Sequence, residues 1–268
     1  MAEVVNLYDG AYRNYSVDAY EQVRIETYGA DFGQTSWVTK EESAEIPRLL
    51  GLTSDSLVLE IGCGSGAYAL HIAANVGCPI VGLDINASGI QNANELARAR
   101  KVDARATFKQ CDVSVKLGLD SDTFDAVFAN DVLCHIPNRA LLLKEICRVL
   151  KPGGRMLFSD ALVVGGMLSH EEIASRSSIG FYMFSPPGEN ERLIQATGLH
   201  LITAIETTDA VAGVAQRWHD ARENCKDKLI QAEGTKTFEG LQRFLHCVRT
   251  LMEERRLLRF LYVARKEP

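Results

Sequence analysis

Apolar and polar positions recur along this chain in two periods, and from residue 57 onward the two take turns. Short strand-like stretches are read at Leu57 to Ile61, Ile80 to Asp84, Ala106 to Gln110, Ala126 to Asn130 and Arg155 to Asp160. Between them, Ala67 to Val76, Ala87 to Arg100 and Arg139 to Leu150 carry apolar side chains three and four apart, the last as Leu142, Ile146, Val149 and Leu150. Lys151-Pro152-Gly153-Gly154 then stops that helix and turns the chain into the next strand. This alternation predicts an α/β fold, a doubly wound and mostly parallel sheet with helices on both faces.

The last third departs from the rhythm. Leu201 to Glu206 reads as a strand, the polar stretch Asp209 to Arg256 as two or three helices, and Leu257 to Ala264 as one more strand, which brings the sheet to seven. The two final strands are expected to pair as a hairpin with a helical cap growing between them. Ahead of the sheet, Tyr8 to Leu50 forms a helical preamble interrupted by the turn-rich stretch Gly29 to Ser36. The expected division is an N-terminal helical lid over 1–50, the sheet core over 51–208, a helical cap insertion over 209–256 and the final core strand over 257–268.

Composition narrows the class. At 268 residues the chain is one large domain or a domain with a substantial insertion, and 46% hydrophobic with 24% charged residues excludes a disordered, collagenous or fibrous chain. The longest apolar stretch, Ala161 to Leu168, falls far short of the roughly 18 residues of a membrane span. The start Met-Ala-Glu-Val-Val-Asn lacks the basic and apolar regions of a signal peptide, so a cytoplasmic protein is expected. Seven cysteines without a C-x-x-C pair fit reduced thiols better than disulfides, zinc or an iron-sulfur cluster. His219 and His246 have no helix-spaced acidic or histidine partner arranged as an evident metal pair, so no metal is assigned. A net charge of -6 provides no general field that would gather nucleic acid, and none is expected as a partner.

The sharpest chemical signal is Leu57-Val-Leu-Glu60-Ile61-Gly62-Cys63-Gly64-Ser65-Gly66, a strand running into closely spaced glycines and then a helix. Glycines allow left-handed backbone and let a ligand approach the main chain, so this is a cofactor loop. Followed by Asp84 about 20 residues later, it also satisfies the dinucleotide fingerprint, and taken alone it does not separate a nicotinamide cofactor from S-adenosylmethionine. Further features bear on the choice: Asp112 after the third strand in Gln110-Cys-Asp-Val, the strand end Phe124-Asp-Ala-Val-Phe-Ala-Asn130-Asp131-Val-Leu-Cys-His135-Ile-Pro, and Leu150-Lys-Pro-Gly-Gly.

In these residues, in this order over 57–160, the chain resembles the class I S-adenosylmethionine-dependent methyltransferases. The resemblance implies a Rossmann-like methyltransferase fold, S-adenosyl-L-methionine as cofactor and S-adenosyl-L-homocysteine as product. It further implies that Gly62, Gly64 and Gly66 border the methionine part of the donor. Asp84 would bind both ribose hydroxyls and Asp112 the adenine, flanked by Ile85 and Val113 as apolar walls. Glu60 would organise the loop or meet the donor's amino group, and Asn130 would stand beside it at the end of the fourth strand.

The acceptor is less legible. Asn130-Asp131-Val-Leu replaces the Asn/Asp-Pro-Pro-Tyr/Phe of exocyclic-amine base methyltransferases, which disfavours that class. Asn14-Tyr15-Ser16, Tyr28-Gly29-Ala-Asp-Phe32-Gly33-Gln34-Thr-Ser36 and Asn130-Asp131-Val-Leu-Cys-His135 are similar to the phosphoethanolamine, sarcosine and related small-molecule methyltransferases. That narrower resemblance implies a catalytic pair of Tyr15 and His135, with Gln34 near the donor carboxylate and Asp131 facing the acceptor amine. Tyr8, Tyr12 and Tyr15 recur at helical spacing, so Tyr12 is expected on the same substrate-facing side.

The phosphobase enzymes hold phosphate with an arginine and a tyrosine after the fifth strand. Here Ser178-Ile-Gly-Phe-Tyr182-Met-Phe-Ser-Pro-Pro has no arginine in register, Arg176 being near but shifted. The expectation thus turns from phosphoethanolamine toward an apolar or aromatic acceptor contacted by Tyr182 and its neighbours Phe181, Met183 and Phe184. The leading reading is methyl transfer to a small-molecule amine. Competing readings are O- or C-methylation of an aromatic or apolar metabolite, tRNA or rRNA methylation, a non-catalytic donor-binding protein and a nicotinamide oxidoreductase. The cap helices, with Trp218, Phe238 and Phe244, would line the acceptor side or form a homodimer face.

Overall fold

In the computed structural model, described for Val5, residues 7–31 and residues 33–268, three helices precede the sheet: α1 (Leu7–Arg13), α2 (Asp18–Tyr28) and α3 (Lys40–Leu50). Phe32, quoted in the segment above, and residues 1–4 and 6 of the N-terminal span lie outside the described residues. Alternation then sets in with β1 (Val58–Ile61), α4 (Ala67–Asn75), β2 (Ile80–Asp84), α5 (Ala87–Ala99), β3 (Ala106–Gln110), β4 (Phe124–Ala129), α6 (Arg139–Val149) and β5 (Leu150–Val164). The chain continues through α7 (His170–Arg176), α8 (Glu189–Ala196), β6 (Leu199–Glu206), α9 (Thr208–Asn224), α10 (Lys226–Glu233), α11 (Thr235–Glu253) and β7 (Leu257–Lys266).

The seven strands form one sheet in the order β3-β2-β1-β4-β5-β7-β6. β1 to β5 run parallel, and β7 enters antiparallel between β5 and β6. The strand order reverses between β1 and β4, and ligands of open α/β sheets bind outside the strand ends at such a switch point.

The fifth strand is longer than its strand-like stretch. Leu150 already pairs with Phe124, the Lys151–Gly154 stretch bulges out of the ladder, and pairing resumes at Ala126↔Arg155. At its other end β5 reaches Val164 because β7 continues to pair there, as Val163↔Leu258 and Val164↔Leu257. A local pattern does not reveal a partner strand a hundred residues away.

Two apolar layers flank the sheet. One packs α3, α4 and α5 on it through residues such as Ile46, Leu70 and Ala93, and the other packs α6 and α8 through Leu142, Ile146 and Ile194. A third cluster joins α1 and α2 to the cap helices α9 to α11 around Trp37, Trp218, Phe238 and Phe244. Phe238 and Phe244 are therefore core, and the third layer suspends α1 over the carboxyl ends of the strands. Among the described residues no helix is long and apolar enough to cross a membrane.

Candidate active site

A cavity of about 530 Å³ opens at the switch point, walled by the ends of β1, β2 and β4, by α1 and by the strap Gly33–Trp37. That volume lies within the roughly 300–1,000 Å³ of small-molecule sites.

At one end stands the glycine loop. Gly62 and Gly64 have φ of 72° and 51°, and a Cβ on them would meet Val132 Cγ2 at 2.3 Å and Tyr12 Oη at 2.5 Å. Both positions thus require glycine for backbone and space together. Gly66, expected beside them, is not in the cavity wall; it begins α4 and packs against Phe108 and Ala93. Because Gly66 has no side chain to cap the helix, the Glu60 carboxylate accepts from the Ala69 amide instead, at 3.1 Å. Burial raises the Glu60 pKa well above the ordinary carboxylate value.

Asp84 closes β2 and accepts from the Gly64 amide (2.7 Å) through Oδ2 and from the Asn86 amide (2.8 Å) through Oδ1. Burial raises its pKa, opposed by those amides. Val113 is buried in the wall, Ile85 stands exposed at the rim, and exposed Asp112 accepts from the Ser114 amide at 2.9 Å. Asn130, also in the wall and buried, has neither its Oδ1 nor its Nδ2 hydrogen-bonded. Gln34 lines the strap side, its amide donating to Ala30 O at 3.0 Å.

The opposite end holds a chain of polar groups. The Tyr8 hydroxyl lies 3.0 Å from His135 Nε2, and His135 Nδ1 lies 3.0 Å from Phe181 O. The Tyr182 ring stands 4.4 Å from the His135 ring, centroid to centroid, and the Arg176 guanidinium lies over the face of Tyr182. Since a carbonyl only accepts, Nδ1–H donates to Phe181 O, which leaves Nε2 to accept from the Tyr8 hydroxyl.

His135 is neutral in this arrangement. Burial, reinforced by the Arg176 charge, pushes its pKa down to about 4. The His135 ring resonances should accordingly titrate near pH 4 in an NMR titration of the free protein, with assignment by a His135→Asn variant. A midpoint near 6.5 would show that the ring is solvated. The segment carrying Tyr182 is fixed from below, by Met183 N to Cys134 O (2.8 Å) and by buried Arg139 to Ser185 Oγ (2.7 Å).

Several sequence expectations are corrected here. Helix α1 ends at Arg13, so Tyr15 leaves the shared face; its ring lies against Gly33 and under Arg24, outside the cavity wall. Tyr8, four residues before Tyr12 on the same helix, meets His135 in its stead. Tyr12 bonds Thr35 (3.2 Å) and rests on Gly64, at the glycine-loop end rather than the His135 end.

Asp131 lines the cavity, but its carboxylate is saturated. Oδ1 accepts from Ser159 Oγ (2.9 Å) and Arg259 Nε (2.8 Å), Oδ2 from Trp37 N (3.0 Å) and Arg259 Nη2 (3.3 Å), which leaves nothing for an acceptor amine. Of the Phe181–Phe184 cluster only Tyr182 reaches the cavity, while Phe181 and Met183 are exposed.

Arg176, set aside as out of register, is the residue that spacing missed. It is 1% exposed and lines the cavity beneath Tyr182, Phe244 and Trp37, with its Cζ 4.4, 5.2 and 5.9 Å from their ring centroids. Among the described residues its Nε and Nη1 have no hydrogen-bond partner. The side chains that bear most on its charge are Tyr182, Cys134 and Tyr8, none of them a carboxylate.

Comparison with known proteins decides the class. The family profile described as methyltransferase domain matches residues 52–179, the stretch that holds the glycine loop, Asp84, Asp112 and His135. That stretch, just under half of the chain, matches a methyltransferase domain. The chain is 28% identical over 230 residues to phosphoethanolamine N-methyltransferase of Triticum aestivum, covering 86% of this chain and 44% of that one. It is 39% identical over 104 residues to sterol 24-C-methyltransferase of Kluyveromyces lactis, covering 39% of this chain and 28% of that one. The chain thus spans less than half the length of both curated relatives.

Among solved structures, phosphoethanolamine N-methyltransferase 2 of Haemonchus contortus, in complex with phosphomonomethylethanolamine and S-adenosylhomocysteine, superposes with a TM-score of 0.80 at 23% identity. The match covers 97% of this chain and 60% of that one, and it shows that the chain shares the fold.

Proposed function

We propose that this protein transfers the methyl group of S-adenosylmethionine to the nitrogen of a small acceptor that carries an anionic group. The observation that carries the acceptor class is the buried guanidinium of Arg176, which faces the cavity with two unpartnered nitrogens. A buried charge without a partner is costly, and an acceptor phosphate or carboxylate would supply one. A wholly apolar acceptor would leave that cost in place. Nitrogen leads because the relative spanning 86% of the chain is named an N-methyltransferase, whereas the C-methyltransferase matches only 39% of it.

The residues fit the donor. Asp84 offers its carboxylate to the ribose diol, Gly62 and Gly64 line the cavity beside the methionine part, and Ile85, Asp112 and Val113 frame the adenine. Asn130 offers an unused amide nitrogen and oxygen, and Gln34 lines the same cavity. Bound there, S-adenosylmethionine supplies an electrophilic methyl group.

The protein's own work is to align the nucleophile and take its proton. A lone pair of the Tyr8 oxygen receives the proton from the acceptor nitrogen as Tyr8 passes its own to His135 Nε2. Burial is the main cause of the low His135 pKa, and an anion seated on Arg176 offsets the charge that adds to it, so acceptor binding strengthens the base.

Arg176→Leu tests this with matched acceptors, an amine bearing a phosphate or carboxylate against its neutral alcohol or amide. The charged acceptor should lose about 10- to 200-fold in kcat/KM, a charged hydrogen bond's worth of about 1.5–3 kcal/mol. The neutral one should change little. Equal effects on both would remove the anionic group from the assignment.

A further inference from the structure

We propose that Arg259 is a positioning residue of the donor site: by binding Asp131 and Glu42 together it holds the Gly33–Trp37 strap and the Asn130–Val132 turn in place, without itself reaching the cavity. The proposal rests on the methyltransferase reading for its purpose, while its geometry stands alone.

Arg259 lies on β7 and is 0% exposed. Its Nη1 and Nη2 each meet one Glu42 oxygen at 2.8 Å, at the start of α3, and Nη1 also donates to Thr207 Oγ1 at 2.7 Å. Nε meets Asp131 Oδ1 at 2.8 Å. One side chain thus ties three parts of the chain that are distant in sequence, and it is absent from the cavity wall.

What Asp131 does with that hold gives the clamp its use. Asp131 has φ 58°, a left-handed conformation that a residue with a Cβ rarely keeps unless its side chain is held. That backbone sends the residues on either side to the donor. Val132 seats on Gly62, and Asn130 presents its unpartnered amide to the cavity. The same carboxylate accepts from Trp37 N, which fastens the strap to the end of β4. At its near end the strap is held by Gly33 N to Asp31 Oδ1 and in its middle by Tyr12 to Thr35, Tyr68 to Ser36 Oγ and Tyr28 to Ser36 O, so the Asp131 bond is the charge-assisted anchor of its Trp37 end. Losing the guanidinium would leave the Asp131 carboxylate buried with two donors instead of four.

The chain has two tryptophans, so a Trp218→Phe background isolates Trp37 as a fluorescent reporter of the strap. In that background Arg259→Met should shift Trp37 emission to the red and expose it to acrylamide. The Kd for S-adenosylhomocysteine should rise about tenfold, one anchoring contact's worth, and Arg259→Lys should recover part of both. A role confined to fold stability would lower Tm while leaving the emission and the affinity of the folded protein at reference values, and that result overturns the proposal. If Arg259→Met does not fold, Arg259→Lys carries the test, since one ammonium cannot bridge both carboxylates in the same geometry; reference emission and affinity there also overturn it. Failure of the reference protein to bind S-adenosylhomocysteine would count against the methyltransferase reading, while the emission would still report on the clamp.

Discussion

Replacing His135 by alanine is expected to lower turnover by about 10²- to 10⁴-fold, the range of positioned acid–base groups, with the Kd for S-adenosylmethionine within about twofold of the parent. The reason is the one-way hydrogen-bond chain. His135 Nε2 accepts the Tyr8 hydroxyl proton, and no other base touches that hydroxyl among the described bonds. Tyr8→Phe should cost nearly as much, and the double variant little more than either, because both act on one proton. Tyr15→Phe should stay near the parent value, since its ring packs between Gly33 and Arg24. These outcomes are read from single-turnover rates with any acceptor that takes label. Additive losses, or a large loss at Tyr15 and none at Tyr8, would dismantle the relay.

The second large effect belongs to Asp84. Asp84→Ala should weaken donor binding by about 2–4 kcal/mol, a factor of roughly 30 to 1,000, as two charge-assisted hydrogen bonds are lost. Part of that loss is indirect, because the same carboxylate steadies the Gly64 and Asn86 amides. Asp84→Asn separates the two parts: its single carbonyl can still accept from one amide, but it lacks the charge. pH gives an independent check. Burial raises the Asp84 pKa, so the ionised form that binds a diol is present above that value and donor affinity falls as pH drops through it. Calorimetry with S-adenosylhomocysteine measures both, and an unchanged Kd for Asp84→Ala would end the donor assignment.

The parts of the molecule that were legible in the sequence are those written in local periods. β2 and β3 fall on their strand-like stretches residue for residue, and the glycine loop and Asp84 sit at the switch point where their order implied. The parts that were not legible depend on contacts between distant segments. Arg176 looked misplaced because register was counted along the chain, whereas α7 ends there and turns its side chain inward under Tyr182. Asp131 looked available because nothing local hints that Arg259, 128 residues on, fills its lone pairs. Tyr8, Tyr12 and Tyr15 looked equivalent because spacing does not say where α1 stops.

The central claim is methyl transfer to a small anionic amine, and labelled S-adenosylmethionine tests it most directly. The donor is offered with a panel of phosphobases, amino acids, neutral amines, phenols, sterols and bulk tRNA, and products are identified by mass. Label on the nitrogen of a phosphate- or carboxylate-bearing amine, abolished by His135→Ala, is the predicted result. Label on tRNA, or tight donor binding with no label on any compound, would contradict it.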